Sequence, residues 1–216
     1  MSYIIVLPTI YRPYTHAFLK TISAELLPHI LIINNTTTNV GVTRSWNRGI
    51  DNMRLFDKDW LILCSAAIRF GPPGGRDYIN TLNPYFDVIE ATNKTSTVYG
   101  WHLIAFHRRV FDTIGRFDEN LFNYYSDIDY SLRYQKAFGE LPGPGWNKTV
   151  IKVKDMGMAH GLKLGGAVDN TNDQAINYFT QKWGRHPSSN QPTYNTPFND
   201  PSNSLEYWPC PTPSPQ

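Results

Sequence analysis

The first half of the chain alternates short apolar runs with stretches in which apolar residues recur at helical spacing. Apolar runs at residues 3–7, 30–33 and 60–63 have the length of buried strands. Helical patterns cover residues 16–25 and 43–56. Strands that alternate with helices in this way are typical of βαβ units. We therefore predict an α/β domain with a mainly parallel central sheet flanked by helices.

The composition of the chain changes near residue 186. Residues 1–185 carry the alternating pattern, whereas residues 186–216 are rich in Pro, Ser, Asn and Thr. Such a segment cannot bury a core of its own and is expected to be extended. We predict one domain over residues 1–185 and a tail over residues 186–216. The tail is expected either to dock on the domain or a protein partner, or to link to a further part of a longer protein.

The overall charge is nearly balanced. The 216 residues include 20 Lys and Arg and 18 Asp and Glu, a net charge of +2, which leaves no electrostatic footprint for nucleic acid. No apolar run approaches the length of a membrane span, and no secretion signal opens the chain. Cys64 and Cys210 are too far apart in sequence to make a metal cluster. We expect a cytoplasmic protein, or, if the chain is viral, one of the host cytoplasm or virion.

Polar residues follow the predicted strands. In an open α/β sheet, ligands bind beyond the carboxyl ends of the strands, so these residues are candidates for a site. After the first strand come Pro8, Thr9 and Arg12, and after the second comes Asn34. The next helical pattern is preceded by Asn39 and includes Arg44 and Asn47 near its start.

A second candidate region runs from Gly100 to Gly139. It begins with an apolar run at Trp101 and ends with a helical pattern that includes two acids, Asp127 and Asp129. Either acid has a purely structural explanation, because Asp127 could cap the helix and Asp129 could pair with Arg133 one turn later. The functional explanation is that Asp127 acts on a ligand. For Asp129 we favour the structural explanation.

The residue order in this region resembles a motif of inverting GT-A glycosyltransferases of the family 2 type, including rhamnosyltransferase-like members. The chain differs from the family at Arg116, where Gly is usual, and at Ser126, where Glu is usual. The run from Asn39 to Ile50 is similar to the family's nucleotide-sugar segment. The matching residues in the first motif are Gly115, Phe117, Asp118, Glu119, Phe122, Tyr124, Asp127, Asp129, Arg133 and Gly139.

The resemblance implies a GT-A fold and a role for each candidate. Asp127 would be the catalytic base that takes a proton from an acceptor hydroxyl. Free N–H groups at the start of the second helix would suit the donor diphosphate. The donor-binding residues would be Pro8, Thr9, Arg12, Asn34, Asn39, Arg44, Asn47 and Lys163. The acceptor-binding residues would be Trp101, Tyr124 and Asp129.

The chain departs from the family after the third strand. Family members carry a carboxylate there that binds Mn²⁺ or Mg²⁺, and in this chain Ala67 takes its place. A methyl group cannot bind a hard cation. His160 matches a second metal ligand of the family, but one imidazole is a poor site for these ions. No metal cofactor is predicted with certainty, and Lys163 and Arg44 are the alternative counter-charges for the diphosphate.

Two functions are compatible with these observations. The first is an inverting glycosyltransferase that uses a nucleotide-sugar donor and a glycan or glycoprotein acceptor. The second is a GT-A-like module without catalysis, which binds carbohydrate or serves in an assembly such as a virus particle. Loss of the metal-binding carboxylate at Ala67 favours the second function, whereas retention of Asp127 and of the Asn39 segment favours the first. We expect the enzyme.

Overall fold

The computed structural model describes residues 2–10, 12–22, 24–66, 68–70, 96–99, 101–139, 153–155 and 171–189. The backbone alone is described for residues 69–70, 96–99, 153–155 and 171. Among the sequence candidates, Ala67, His160 and Lys163 lie outside these ranges, as does the tail from residue 190 onward. Within the described part of the chain, no helix has the length and apolarity needed to cross a membrane.

A five-stranded sheet forms the centre of the domain, with strand order β2-β1-β3-β6-β5. β1 is parallel to both β2 and β3, and β6 is antiparallel to β3 and to β5. Four strands therefore point one way and β6 points the other way, which confirms the prediction of an α/β fold with a mainly parallel sheet. The strands are β1 (Tyr3–Thr9), β2 (Ile30–Asn34), β3 (Trp60–Cys64), β5 (Ser96–Tyr99) and β6 (Leu103–His107).

A second, two-stranded sheet pairs β4 (Ile68–Phe70) with β7 (Val153–Asp155) in antiparallel register. Five α-helices accompany the sheets in the described residues. They are α1 (Arg12–Leu19), α2 (Val42–Leu55), α3 (Arg108–Ile114), α4 (Ser126–Phe138) and α5 (Thr171–Trp183). The predicted bounds of β1, β2, β3 and α2 are correct to within two residues.

The first helix begins and ends earlier than its apolar pattern predicts. Pro13 fits the first turn of α1, where a missing N–H group is not needed. The helix ends at Leu19 because Thr21 turns the chain: its N–H and hydroxyl both donate to the carbonyl of Phe18, at 2.8 and 2.7 Å. A separate 3₁₀ helix then covers Ala24–His29. The predicted helix over residues 16–25 thus covers the end of α1 and the start of the 3₁₀ helix, which are separate elements.

Both faces of the sheet are buried. Alternate residues of β1 point to opposite sides: Ile5 and Leu7 pack with Phe18 of α1, while Ile4 and Val6 pack against α2. Phe106 and Tyr130 extend the second cluster to α3 and α4. The period of two along the strand therefore places apolar side chains in both layers. A third cluster packs α5 on α4 through Leu121, Leu132, Ala175, Phe179 and Trp183.

Candidate functional site

A cleft of about 570 Å³ opens beside the carboxyl ends of β1 and β3 and beside the first turns of α2 and α4. Its position agrees with the general location of ligands in α/β sheets. Five of the candidate residues meet there, namely Pro8, Asn39, Trp101, Tyr124 and Asp127. The other described residues of the lining are Ile10, Asn35, Val42, Trp46, Cys64, Ser65, His102, Asn123, Tyr125, Ser126 and Ile128.

Asp127 is the second residue of α4, whose N-cap residue is Tyr125 in a left-handed conformation with φ of 63°. Burial raises the pKa of the Asp127 carboxyl group. The N–H groups of Ile128 and Asp127 and the charge of His102 act in the opposite direction, but burial prevails. The predicted capping role of Asp127 is therefore wrong, because Tyr125 is the N-cap residue and Asp127 lies one position inside the helix. A half-buried carboxylate with a raised pKa, facing a cleft, is suited to accept a proton.

Aromatic side chains form one wall of the cleft. Trp101 is half-buried, and its ring centroid lies 5.9 Å from that of Trp46 and 6.4 Å from that of Phe117. Phe117 stacks on Tyr130 at 4.0 Å, so Trp101 rests on a rigid aromatic core. Tyr124 joins the lining from the loop before α4. Flat aromatic faces of this kind are surfaces on which a sugar ring can stack.

The N–H groups at the start of α2 are not free to bind a diphosphate. Those of Val42 and Thr43 donate to the carbonyl of Phe122, at 3.1 and 3.4 Å. The single hydrogen of the Thr43 hydroxyl is shared between the carbonyls of Phe122, at 2.8 Å, and of Leu121. The prediction that N–H groups here bind the donor diphosphate is therefore wrong for Val42 and Thr43, because the loop between α3 and α4 already satisfies them.

The segment before α2 is a tight turn. The Asn39 side-chain oxygen accepts a hydrogen bond of 2.9 Å from the N–H of Gly41, and the Asn39 side chain is exposed at the cleft. Gly41 has φ of 83°, and a Cβ there would lie 2.8 Å from the Phe122 carbonyl oxygen. Glycine is needed at this position for both reasons. The side-chain nitrogen of Asn39 takes no part in this turn and is thus available to a ligand.

Arg44 and Asn47 lie outside the cleft lining and hold the loop of residues 115–125, which we call the α3–α4 loop. The Arg44 Nε atom donates to Glu119 at 3.0 Å. Asn47 is 1% exposed, and its amide bonds the carbonyl of Phe117, the N–H of Phe117 and the Glu119 carboxylate, each at 2.9 Å. These contacts contradict the donor-binding role expected of Asn47, since its amide is fully used inside the protein.

Asp129 is completely buried and has a structural role. Its carboxylate accepts hydrogen bonds from Arg133 and Trp183, both at 2.9 Å, and pairs with Lys182 at 2.6 Å. Burial alone would raise the pKa of Asp129, but Arg133 and Lys182 together with Trp183 lower it. The pairing of Asp129 with Arg133 is confirmed, and the acceptor-binding role of Asp129 is wrong because the carboxylate does not reach the cleft.

Three donor candidates are not among the described residues that line the cleft. Thr9 is buried, and its hydroxyl shares a hydrogen bond with that of Thr15. Arg12 is exposed at the start of α1. The Asn34 oxygen accepts hydrogen bonds from the N–H and the hydroxyl of Thr36, at 3.0 and 2.7 Å. Their donor-binding roles are not supported by these positions.

The cleft contains polar residues that the sequence candidates did not include, notably Asn35, Asn123, His102 and Ser126. Asn35 was one position away from the chosen residue. Side chains alternate along a strand, and Ile33 is buried while Ile32 is exposed. Asn35 continues the buried side of β2, which the uniformly apolar sequence of residues 30–33 does not distinguish from the exposed side.

The described residues contain no group of three or more His, Cys, Asp or Glu side chains placed to hold a metal ion. The predicted ligand His160 and the substituted position Ala67 lie outside the described ranges.

A scan against protein-family models finds no match, and a search of curated proteins finds no similar sequence. Solved structures similar to the chain include the following two. One is a glycosyltransferase involved in the glycosylation of the major capsid of PBCV-1, with 12% identity over 68% of this chain and 81% of the other and a TM-score of 0.40. The other is A197 from STIV, with 11% identity over 53% of this chain and 69% of the other and a TM-score of 0.37.

Proposed function

We propose that the protein is an inverting glycosyltransferase, which moves a sugar from a nucleotide-diphosphate donor to an acceptor hydroxyl. The observation that carries the proposal is the half-buried Asp127 carboxylate in the cleft, with a pKa raised by burial. Because burial raises its pKa, a carboxylate so placed is a stronger base than an exposed aspartate.

The reaction assigned to the cleft is a direct displacement. The acceptor hydroxyl loses its proton to Asp127 as its oxygen bonds the anomeric carbon, and the nucleoside diphosphate leaves with the electrons of the broken bond. Attack from the face opposite the leaving group inverts the anomeric centre. Trp101 and Tyr124 are assigned to the acceptor sugar because they lie in the lining with Asp127.

The donor is assigned to the side of the cleft formed by Pro8 and Asn39, at the end of β1 and before α2. His102 is the basic residue among the described lining residues. The charge of the departing diphosphate therefore requires a further cation, for which we retain Lys163 from the resemblance. Arg44 is less suited, since it pairs with Glu119 outside the lining.

Calorimetric titration with UDP, GDP and dTDP and their common sugar conjugates, with and without Mn²⁺, tests donor binding. Saturable binding of one nucleotide supports the transferase, and equal binding without Mn²⁺ supports neutralisation by basic residues. Absence of binding in every titration would contradict the proposal. It would favour the alternative of a non-catalytic carbohydrate-binding or assembly module.

With a donor identified, Asp127→Asn tests the base. We expect turnover to fall by a factor of about 10² or more, because proton removal is lost while the side chain keeps its shape. Donor affinity should be unchanged. Asp112→Asn is the matched control, since it removes the same charge from an exposed side chain on α3. Full activity of Asp127→Asn, or an equal loss in Asp112→Asn, would contradict the assignment.

A further inference from the structure

Two side-chain amides on the cleft wall each have one polar atom that is bonded within the protein. The other polar atom of each amide has no partner in the described residues. They are Asn35, after β2, and Asn123, in the α3–α4 loop. Asn35 is only 6% exposed. The buried atoms without a partner are the Asn35 oxygen Oδ1 and the Asn123 nitrogen Nδ2.

The orientation of the Asn35 amide is fixed by Ser45. The Ser45 hydroxyl donates its hydrogen to the carbonyl of Gly41 at 2.7 Å. A hydroxyl has a single hydrogen to donate, so toward Asn35 the Ser45 oxygen can only accept. It accepts from the Asn35 nitrogen at 3.0 Å. The Asn35 oxygen is therefore left as a hydrogen-bond acceptor.

The orientation of the Asn123 amide is fixed by Val42. The main-chain N–H of Val42 can only donate, and its hydrogen is shared between the Phe122 carbonyl, at 3.1 Å, and the Asn123 oxygen, at 3.3 Å. A flipped amide would place two donors against each other. The Asn123 nitrogen is therefore left as a hydrogen-bond donor.

Both amides are anchored to the same place, since Gly41, Val42 and Ser45 belong to the cap and first turn of α2. The cleft thus presents a fixed acceptor and a fixed donor close to one helix turn. Buried polar atoms without partners lose hydration and gain nothing in return. A ligand that offers one donor to the Asn35 oxygen and one acceptor to the Asn123 nitrogen would restore both hydrogen bonds.

We propose that Asn35 and Asn123 determine specificity by binding two neighbouring hydroxyls of a neutral sugar ring. One hydroxyl donates to the Asn35 oxygen, and its neighbour accepts from the Asn123 nitrogen. The choice of a sugar rests on the proposed function and on the aromatic wall at Trp101 and Tyr124. The ring is neutral because the described lining offers no Lys or Arg and does include the Asp127 carboxylate, which repels an anionic group.

The first test uses the unaltered full chain and needs no donor or turnover. Methyl glycosides of glucose, galactose, mannose and rhamnose are titrated by ligand-observed NMR, together with methyl glucuronide and the single-deoxy forms of the tightest ligand. We expect one neutral glycoside to bind saturably. Removal of either of two adjacent hydroxyls should weaken binding about tenfold or more, and removal of the others should matter less.

The second test uses Asn123→Asp, which keeps the oxygen that accepts from Val42 and replaces the donor with an acceptor. We expect the same glycoside to bind about tenfold more weakly or worse. Asn52→Asp is the matched control, because it makes the same change further along α2 and outside the cleft lining. It should bind as the unaltered chain does.

The outcomes separate this inference from the proposed function. The inference is overturned if no neutral glycoside binds, if methyl glucuronide binds best, or if no adjacent pair of hydroxyls matters. It is also overturned if Asn123→Asp binds normally, or if that substitution weakens nucleotide binding and spares the glycosides, which would mean that the pair binds a nucleobase. Hydroxyl-dependent binding without transfer from any donor would leave this inference standing and overturn the glycosyltransferase.

Discussion

At the scale of single residues, the environment of Asp127 governs the expected chemistry. Burial raises its pKa, whereas the positive charge of His102 lowers it. A base acts only when it is deprotonated, so the rate should be lost as the pH falls through the pKa of Asp127. The raised value places this loss at a higher pH than for an exposed aspartate.

We predict that kcat/KM falls on the acid side with a midpoint above about 3.9, the ordinary pKa of Asp. His102→Gln should move this midpoint to higher pH, because it removes the charge that lowers the pKa of Asp127. Initial rates across the pH range measure both effects. A midpoint at or below the ordinary value, or disappearance of the acid limb in His102→Gln, would show that another group titrates.

Gly41 and Gly139 both have backbone conformations that favour glycine, with ψ of 163° and −1° respectively, and only Gly41 is also crowded. Both have positive φ, 83° and 73°, but a Cβ on Gly41 collides with Phe122, while nothing lies within 4 Å of a Cβ on Gly139. We predict that Gly139→Ala lowers the free energy of unfolding by about 1 kcal/mol. Gly41→Ala should lower it by about 2 to 5 kcal/mol, since overpacking adds to the strain.

Urea unfolding of the two variants measures the difference. Equal losses would mean that the α3–α4 loop moves aside readily, against the close fit of Phe122 over the start of α2.

The sequence located some individual site residues and missed others for a physical reason. Asp127, Trp101 and Tyr124 were found because a motif fixes their order. Asn47 was misassigned because motif spacing cannot distinguish an amide that faces a ligand from one that bonds a neighbouring loop. Asn123 was not selected, since its role depends on a contact with Val42, 81 positions away in sequence.

At the scale of elements, a buried ammonium group on α5 adds to the apolar packing that joins this helix to the rest of the domain. Lys182 pairs with Asp118 and with Asp129, both at 2.6 Å, and is 4% exposed. Asp118 also accepts a hydrogen bond from Tyr178 at 2.7 Å. Asp118 belongs to the α3–α4 loop and Asp129 to α4, so the lysine connects three elements.

Lys182→Met is predicted to lower the free energy of unfolding by about 3 to 5 kcal/mol, because it leaves two buried carboxylates with fewer partners. Methionine keeps most of the side-chain length. Lys20→Met, at an exposed position after α1, is the control and should change stability little. Denaturant titration measures both. If Lys182→Met lowers the free energy of unfolding no more than the control does, Arg133 and Tyr178 are sufficient to stabilise the two buried carboxylates.

Elements were predicted best where their side-chain pattern is uninterrupted. β1, β2, β3 and α2 each have one continuous pattern and were placed closely. α1 was misplaced because local hydrogen bonds from Thr21 ended the helix inside a favourable apolar pattern. The order of strands across the sheet was not predicted, since pairing of β3 with β6 depends on contacts far apart in sequence.

At the scale of the whole molecule, the buried network around Asp129 links stability to pH. The charges of Arg133 and Lys182 hold its pKa below the ordinary value despite burial. A carboxyl group with a lowered folded-state pKa contributes stability that is fully present above its unfolded-state pKa, about 3.9. The contribution is lost as the pH falls from that value through the folded-state pKa.

We therefore predict that the melting temperature falls as the pH is lowered below about 4. Asp129→Asn should melt lower at neutral pH and show a shallower acid decline, because the titrating group is gone. Differential scanning calorimetry between pH 2 and pH 7 measures the two curves. If the melting temperature falls with pH equally in both proteins, carboxylates other than Asp129 cause the acid decline.

The contact between the α3–α4 loop and α2 has a consequence for engineering. The carbonyl of Phe122 caps α2, and Asn123 adds a second bond to Val42. A designer who exchanges this loop to reshape the cleft would also remove the cap of α2. Loop and helix start must therefore be transplanted as one cassette, with Gly41 included.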